Sequence, residues 1–136
     1  PGIDAAAFTR YTPGVKKVVV VDDDDGMREL MATLLRDRYE VSMARDGVEG
    51  LTVIRDVRPD LLVLDLLMPR MHGFEVCQRL RADPELKDIK ILISSSKSYQ
   101  HDVRTAVEET GADGYIVKPF KLEEFNSRVD AMIGGA

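Results

Sequence analysis

Apolar residues along this chain fall into two alternating rhythms. KKVVVV, Lys16 to Val21, is a short β-branched run, as expected of a strand buried on both faces. Met27, Leu30, Met31, Leu34 and Leu35 then recur at i, i+3, i+4, i+7 and i+8, which puts them on one face of a helix. YEVSMA (Tyr39–Ala44) alternates apolar with polar residues and predicts a more exposed strand. Val48, Leu51 and Ile54 mark a second helix, and LLVLD (Leu61–Asp65) a second buried strand. Phe74, Cys77 and Leu80 predict a third helix, ended by Asp83-Pro84. IKILIS (Ile89–Ser94) predicts a fourth strand. Val103, Ala106, Val107 and Thr110 predict a fourth helix that stops at Gly111. GYIVK (Gly114–Lys118) is a fifth strand, and Leu122, Phe125, Val129 and Met132 mark a last helix.

Strict alternation with short connections predicts an α/β fold: a doubly wound, five-stranded parallel sheet with helices on both faces. The expected strand order is 2-1-3-4-5, the flavodoxin-like (βα)5 arrangement, which makes strands one and three neighbours at the switch point. A chain of 136 residues is the size of one domain. Its expected span is 16–133. Pro1 to Val15 reads as a disordered lead-in or linker that opens and closes on Pro-Gly pairs, and 134–136 as a tail.

Composition narrows the function. A net charge of −5 argues against direct nucleic-acid or anionic-membrane binding by bulk electrostatics. The single cysteine, Cys77, allows no internal disulfide and fits a reducing, cytoplasmic setting, with a buried structural thiol as its simplest role. No apolar run approaches the ~18–20 residues of a membrane span. The chain starts at Pro1 rather than Met, as expected of a fragment or a processed form.

Ligands of open α/β sheets sit outside the carboxyl ends of the strands. Strand one ends in Asp22 and Asp23, strand three in Asp65, strand four in Ser94, Ser95 and Ser96, and strand five in Lys118. The predicted order brings the three carboxylates together, with the Ser and Lys groups on the other side. Clustered carboxylates raise one another's pKa, and a hard dication relieves that. Mg²⁺ accepts oxygen ligands and keeps waters, leaving room for a phosphate oxygen. An Asp carboxylate can attack phosphorus to form an aspartyl-phosphate, while a Lys ammonium and a Ser hydroxyl neutralise phosphoryl oxygens. Asp24 and Asp25 extend the acidic run but read as the opening of the first helix, where carboxylates favour the dipole.

The stretches VVVVDDDDGMR, PDLLVLDLLMPRMHG and GADGYIVKPF, in that order and spacing, resemble the receiver domain of two-component response regulators, chemotaxis regulators included. The resemblance runs from about Lys16 to Ile133. It implies that Asp65 is the phospho-acceptor, that Asp23 and Asp65 ligate Mg²⁺ (or Mn²⁺) directly, and that Asp22 does so through a water. It also implies a metal ligand from the Leu67 backbone carbonyl, a phosphoryl contact from Lys118, a cis Lys118–Pro119 bond and an aromatic switch at Tyr115. Counting forward from Asp65 gives Ser95 as the switch hydroxyl, and Lys90, where many members have proline, supports that; counting back from Lys118 gives Ser96 and a one-residue insertion near the fourth strand's end. The implied phosphodonor is a sensor histidine kinase or a histidine phosphotransfer protein. The implied output is a change in the surface near the last helices that biases an effector or a dimer, with direct nucleic-acid and membrane binding not expected. The domain would be a signalling switch that catalyses only its own phosphorylation and dephosphorylation.

Two other readings compete. DDDGM resembles the nucleophile motif of haloacid-dehalogenase-like phosphatases, which would make Asp23 the nucleophile and Asp25 the acid/base, but leaves Asp65 unexplained. A pseudo-receiver that only docks partners would have lost one of the acidic or Lys positions, and all are present. A calcium loop fails, because Val21 and Ala32 stand where acidic ligands are required. His72 and His101 read as a solvated loop residue and a surface residue, and Glu123 and Glu124 as a solvated face.

Overall fold

The computed structural model describes residues 14–68, 72–96, 107–108 and 110–134. Residues 1–13 of the lead-in, Val103 and Ala106 of the predicted fourth helix, His101 and the last two residues lie outside the described residues.

The described strands are β1 (Lys17–Val21), β2 (Glu40–Ala44), β3 (Leu61–Asp65), β4 (Lys90–Ser96) and β5 (Gly114–Lys118). They form one parallel sheet in the order β2-β1-β3-β4-β5, as the alternation predicted. Four helices are described over longer spans: α1 (Asp25–Leu35), α2 (Gly47–Val57), α3 (Gly73–Ala82) and α4 (Leu122–Val129), the last continuing into a π-helical turn at Asp130–Gly134.

The period of two along each strand divides the core in two. Val19, Val21, Leu62, Leu64, Ile91 and Ile93 face Leu51, Ile54, Val76, Cys77 and Leu80 of α2 and α3. Val18, Val20, Leu61, Val63 and Leu92 face Met31 and Leu35 of α1 and Phe125 and Val129 of α4. Both faces of β1 and β3 are therefore dry, which is why these strands read as unbroken apolar runs. Edge strand β2 is half-buried over Glu40 to Met43, as its alternating pattern predicted.

Two expectations change. Strand β4 runs two residues beyond Ser94, because its ladder continues through Ser95↔Val117 and Ser96↔Lys118. A serine triplet has no apolar signal, yet backbone pairing needs none. The apolar stripes are also narrower than the spacing predicts: Leu30, Val48 and Leu122 are 38%, 41% and 46% exposed. In α2 the buried face is completed by Gly47 and Gly50 rather than Val48. The predicted stop at Gly111 holds, with φ at +71°, a left-handed conformation that glycine adopts without strain.

Gly73 opens α3 directly beneath the end of β3. A Cβ there would lie 2.7 Å from the Asp65 carbonyl oxygen and 2.8 Å from the Leu66 Cα, backbone atoms with no freedom to yield. Its N–H donates to the Leu66 carbonyl at 3.1 Å. The absent side chain lets α3 seat against the strand end that presents Asp65. Gly73→Ala is expected to destabilise the fold by roughly 1–3 kcal/mol, the usual cost of overpacking. Urea denaturation checks this, and an unchanged midpoint would contradict the steric reading.

Candidate functional site

The carboxyl ends of β1, β3 and β5 meet where the strand order reverses. Asp22, the residue after β1, is fully buried. Its backbone N–H donates to the Ala44 carbonyl at 3.2 Å, which ties the strand end to β2. One carboxylate oxygen accepts from the Asp24 N–H at 2.9 Å, and the other takes the Lys118 ammonium at 2.7 Å. Asp23 is exposed beside it. Asp65, the last residue of β3, is 6% exposed. Its Oδ1 accepts from the Leu67 N–H at 3.0 Å, and its Oδ2 lies 3.5 Å from Lys118 Nζ. One carboxylate oxygen from each of Asp22, Asp23 and Asp65 lies within 4.8 Å of the others, the span of a common cation.

Electrostatics follow from this packing. Burial is the main force pushing the Asp65 carboxyl up, from an ordinary 3.8 to about 6; Lys118 and the Leu67 N–H pull it down, while Asp22 and Asp23 raise it further. Burial alone would lower Lys118, but its hydrogen bond and charge pairing with Asp22, and the Asp65 charge, outweigh that and raise it. Lys118 thus stays a cation held between two buried carboxylates. The donor set is all-oxygen, hard and partly open to solvent through Asp23, which suits a small dication.

The remaining positions sort by face. Tyr115 is 8% exposed, and its hydroxyl is raised mainly by burial. Ser95 follows Ile91 and Ile93 in the alternation and lies beside Tyr115, near enough to lower its pKa somewhat but short of hydrogen-bond geometry. The Ser94, Ser95 and Tyr115 hydroxyls are buried with no hydrogen-bond partner among the described residues. Ser94 pairs in register with Asp65, and Ser96 with Lys118. Both ladders of β4 are unbroken, so a one-residue insertion does not interrupt this strand. The Leu67 side chain is 41% exposed, and the Lys118–Pro119 bond is cis.

Asp24 and Asp25 behave as read. Asp24 caps α1, accepting from the Met27 N–H at 2.8 Å, and Asp25 lies in its first turn. Cys77 is buried and its thiol is pushed up to about 12, chiefly by desolvation, so it is an inert core residue. Two contributors escaped the sequence reading. Gly73 seats α3 against Asp65, and Arg28 donates to the Asp22 carbonyl at 2.9 Å. Neither contact to the strand ends leaves a signature in residue type, because its partner there is backbone. A hint for Arg28 was its spacing three residues after Asp25 on a helix.

A family model described as the response regulator receiver domain matches residues 18–130. Among curated proteins, the DNA-binding response regulator MtrA of Mycolicibacterium paratuberculosis is 40% identical over 119 residues, covering 87% of this chain and 51% of that protein. Response regulator MprA of Mycobacterium avium is 43% identical over 118 residues, 86% of this chain and 50% of its own length. The chain therefore spans about half the length of these relatives. Among solved structures, chemotaxis response regulator CheY4 of Vibrio cholerae superposes with a TM-score of 0.80 at 31% identity, covering 88% of this chain and 99% of that one. The phosphorylated cyanobacterial phytochrome response regulator RcpA superposes with a TM-score of 0.79 at 26% identity, covering 90% and 97%. The expectation of no direct nucleic-acid binding is contradicted, since MtrA is named a DNA-binding response regulator. The net charge of a stretch bears only on that stretch's own surface. Among the described residues, no helix is long and apolar enough to cross a membrane.

Proposed function

This chain belongs to the response regulator receiver domain family, and on that premise we propose that it is a phosphorylation-driven switch with Asp65 as the phospho-acceptor. The observation that supports this best is the site's asymmetry: of the two buried carboxylates, Asp22 is taken up by the Asp24 N–H and by Lys118 at 2.7 Å, while Asp65 stands 3.5 Å from that ammonium, beside the other two carboxylates. A histidine kinase or phosphotransfer protein of the same cytoplasmic compartment supplies the phosphoryl group. An Asp65 oxygen forms the new bond to phosphorus while the donor's nitrogen–phosphorus bond breaks, the electron pair leaving with the donor. With a carboxyl near 6, Asp65 is mostly ionised at neutral pH and so available as nucleophile. Lys118, already 3.5 Å from Asp65, neutralises the incoming oxygens.

Asp22, Asp23, Asp65 and the Leu67 carbonyl would hold Mg²⁺, or Mn²⁺ in its place. That ion, when bound, neutralises phosphoryl charge. Asp22 keeps its carboxylate in place through Asp24 and Lys118, and Asp23 faces the solvent from which donor and metal arrive.

We assign the switch hydroxyl to Ser95 rather than Ser96. Ser95 is buried and beside Tyr115, whereas Ser96 has a partner of its own. Recruiting the Ser95 hydroxyl toward a phosphoryl group would let Tyr115 follow and reshape the face near β5 and α4, biasing an effector or a dimer. The name of MtrA supports DNA as the target of such an effector.

Labelling with acetyl phosphate and Mg²⁺, followed by peptide mapping, tests the reading. Label is expected on the Asp65 peptide, with slower incorporation in Ser95→Ala than in Ser96→Ala. Label on Asp23 would instead favour a phosphatase of the haloacid-dehalogenase type, and a stronger effect of Ser96→Ala would reverse the hydroxyl assignment.

A further inference from the structure

We propose that Arg28 is a positioning residue for the metal-binding carboxylates, acting through the Asp22–Asp23 peptide and steadied by Asp25; this rests on the reading of the acidic cluster as a Mg²⁺ site. Arg28 sits in α1 with its side chain 15% exposed. One arm of its guanidinium, Nη1, donates to the Asp22 carbonyl at 2.9 Å. The other, Nη2, donates to Asp25 Oδ1 at 2.5 Å. The two arms of a planar fork reach both acceptors from separate nitrogens, whereas a lysine ammonium would have to reach both from one atom.

What the fork grips is the peptide unit between the two aspartates. That unit is planar, so fixing the Asp22 carbonyl fixes the Asp23 N–H and the direction in which the chain enters the Asp23 Cα. Asp22 does not depend on it, because the Asp24 N–H and Lys118 hold its carboxylate directly. Asp23 does: among the described residues no side chain or backbone N–H bonds its carboxylate, so of the described contacts those to its backbone are the ones that place it. Among the described residues, Arg28 is the side chain that bonds that backbone. The fourth acid of the run thereby gains a role beyond the helix dipole, as the anchor of Arg28.

Charge and position make opposite predictions here. A cation beside the cluster repels a dication, so if charge were the whole effect, removing Arg28 would tighten Mg²⁺ binding. If Arg28 holds Asp23 in place, removing it weakens binding, as loss of outer-shell support does.

The test is calorimetric titration of the full chain with MgCl₂, alongside urea denaturation. Arg28→Ala is expected to raise the Mg²⁺ Kd about tenfold, the low end for such supporting residues. Arg28→Lys, which keeps the charge but not the fork, is expected to fall with Arg28→Ala. Asp25→Asn, at an exposed carboxylate and without risk to the core, is expected to raise Kd roughly twofold, in keeping with the small worth of exposed pairs. Tighter or unchanged binding in Arg28→Ala overturns the proposal, as does Arg28→Lys binding like the unmodified protein. Should Arg28→Ala not fold, the Lys and Asn variants decide alone. Absence of Mg²⁺ binding by the unmodified chain would instead bring down the metal reading itself, with this inference.

Discussion

Asp65→Asn abolishes incorporation of phosphoryl label from acetyl phosphate. The amide removes the nucleophilic oxygen and changes little else: asparagine matches the shape of aspartate, and its carbonyl can still accept from the Leu67 N–H that now bonds Asp65 at 3.0 Å. The loss is therefore expected to be complete rather than partial, since Asp22 is already occupied by Lys118 at 2.7 Å and cannot substitute. Asp23 is the informative bystander. It is exposed and within 4.8 Å of Asp65, so transfer to any convenient carboxylate would leave measurable label in the variant. Undiminished labelling of Asp65→Asn would sink the assignment of the acceptor. Lys118→Ala offers a companion measurement with a milder expected outcome, slower labelling but intact acceptor chemistry.

Much of this site could be read from residue types because the fold converts sequence periodicity into geometry. Once LLVLD reads as a buried strand, its terminal Asp65 must emerge at the sheet's carboxyl edge, and the same logic applies to Asp22 after four valines and to Lys118 after GYIV. The strand order then brings these ends together without any further information. What escaped was whatever depends on backbone partners or on the absence of atoms. Nothing in the letter G at position 73 says that a helix must pass within van der Waals distance of the Asp65 carbonyl. Nothing in Arg28 says that, besides the Asp25 carboxylate, its other target is the Asp22 carbonyl. The end of β4 was misjudged for the same reason, since a ladder of N–H and C=O groups continues through serines as readily as through isoleucines. Bulk charge misled differently: it speaks only for the stretch over which it is summed, and that stretch is about half the length of the DNA-binding relative.

In divalent-free buffer, the stability gap between Asp65→Asn and the unmodified protein widens as pH rises from about 4 to about 7, with the variant more stable. The sign follows from linkage. In the unfolded chain Asp65 ionises near 3.8, while in the fold burial holds the proton until about 6. Below 3.8 both states keep the proton and the group favours neither. Between the two values the unfolded state sheds its proton while the folded state still holds it, so each step up in pH favours unfolding. Above about 6 both states are ionised and the penalty stops growing. The separation is about two pH units, and each unit corresponds to ~1.4 kcal/mol, so the full penalty is about 3 kcal/mol. Asn has no proton to lose and escapes it. Urea denaturation of both proteins across this range measures the gap directly, and comparing the two cancels the contribution of every other titrating group not coupled to Asp65. A gap that stays flat with pH would mean that Asp65 ionises as easily in the fold as outside it. A gap that closes as pH rises would mean that Lys118 and the Leu67 N–H outweigh burial. Mg²⁺ is expected to shrink the gap at neutral pH, because a ligand that binds the folded protein stabilises it, and does so less in a variant lacking the Asp65 charge. The destabilisation is thus the physical counterpart of function: a carboxylate held at a cost beside two others is one whose charge a bound cation relieves.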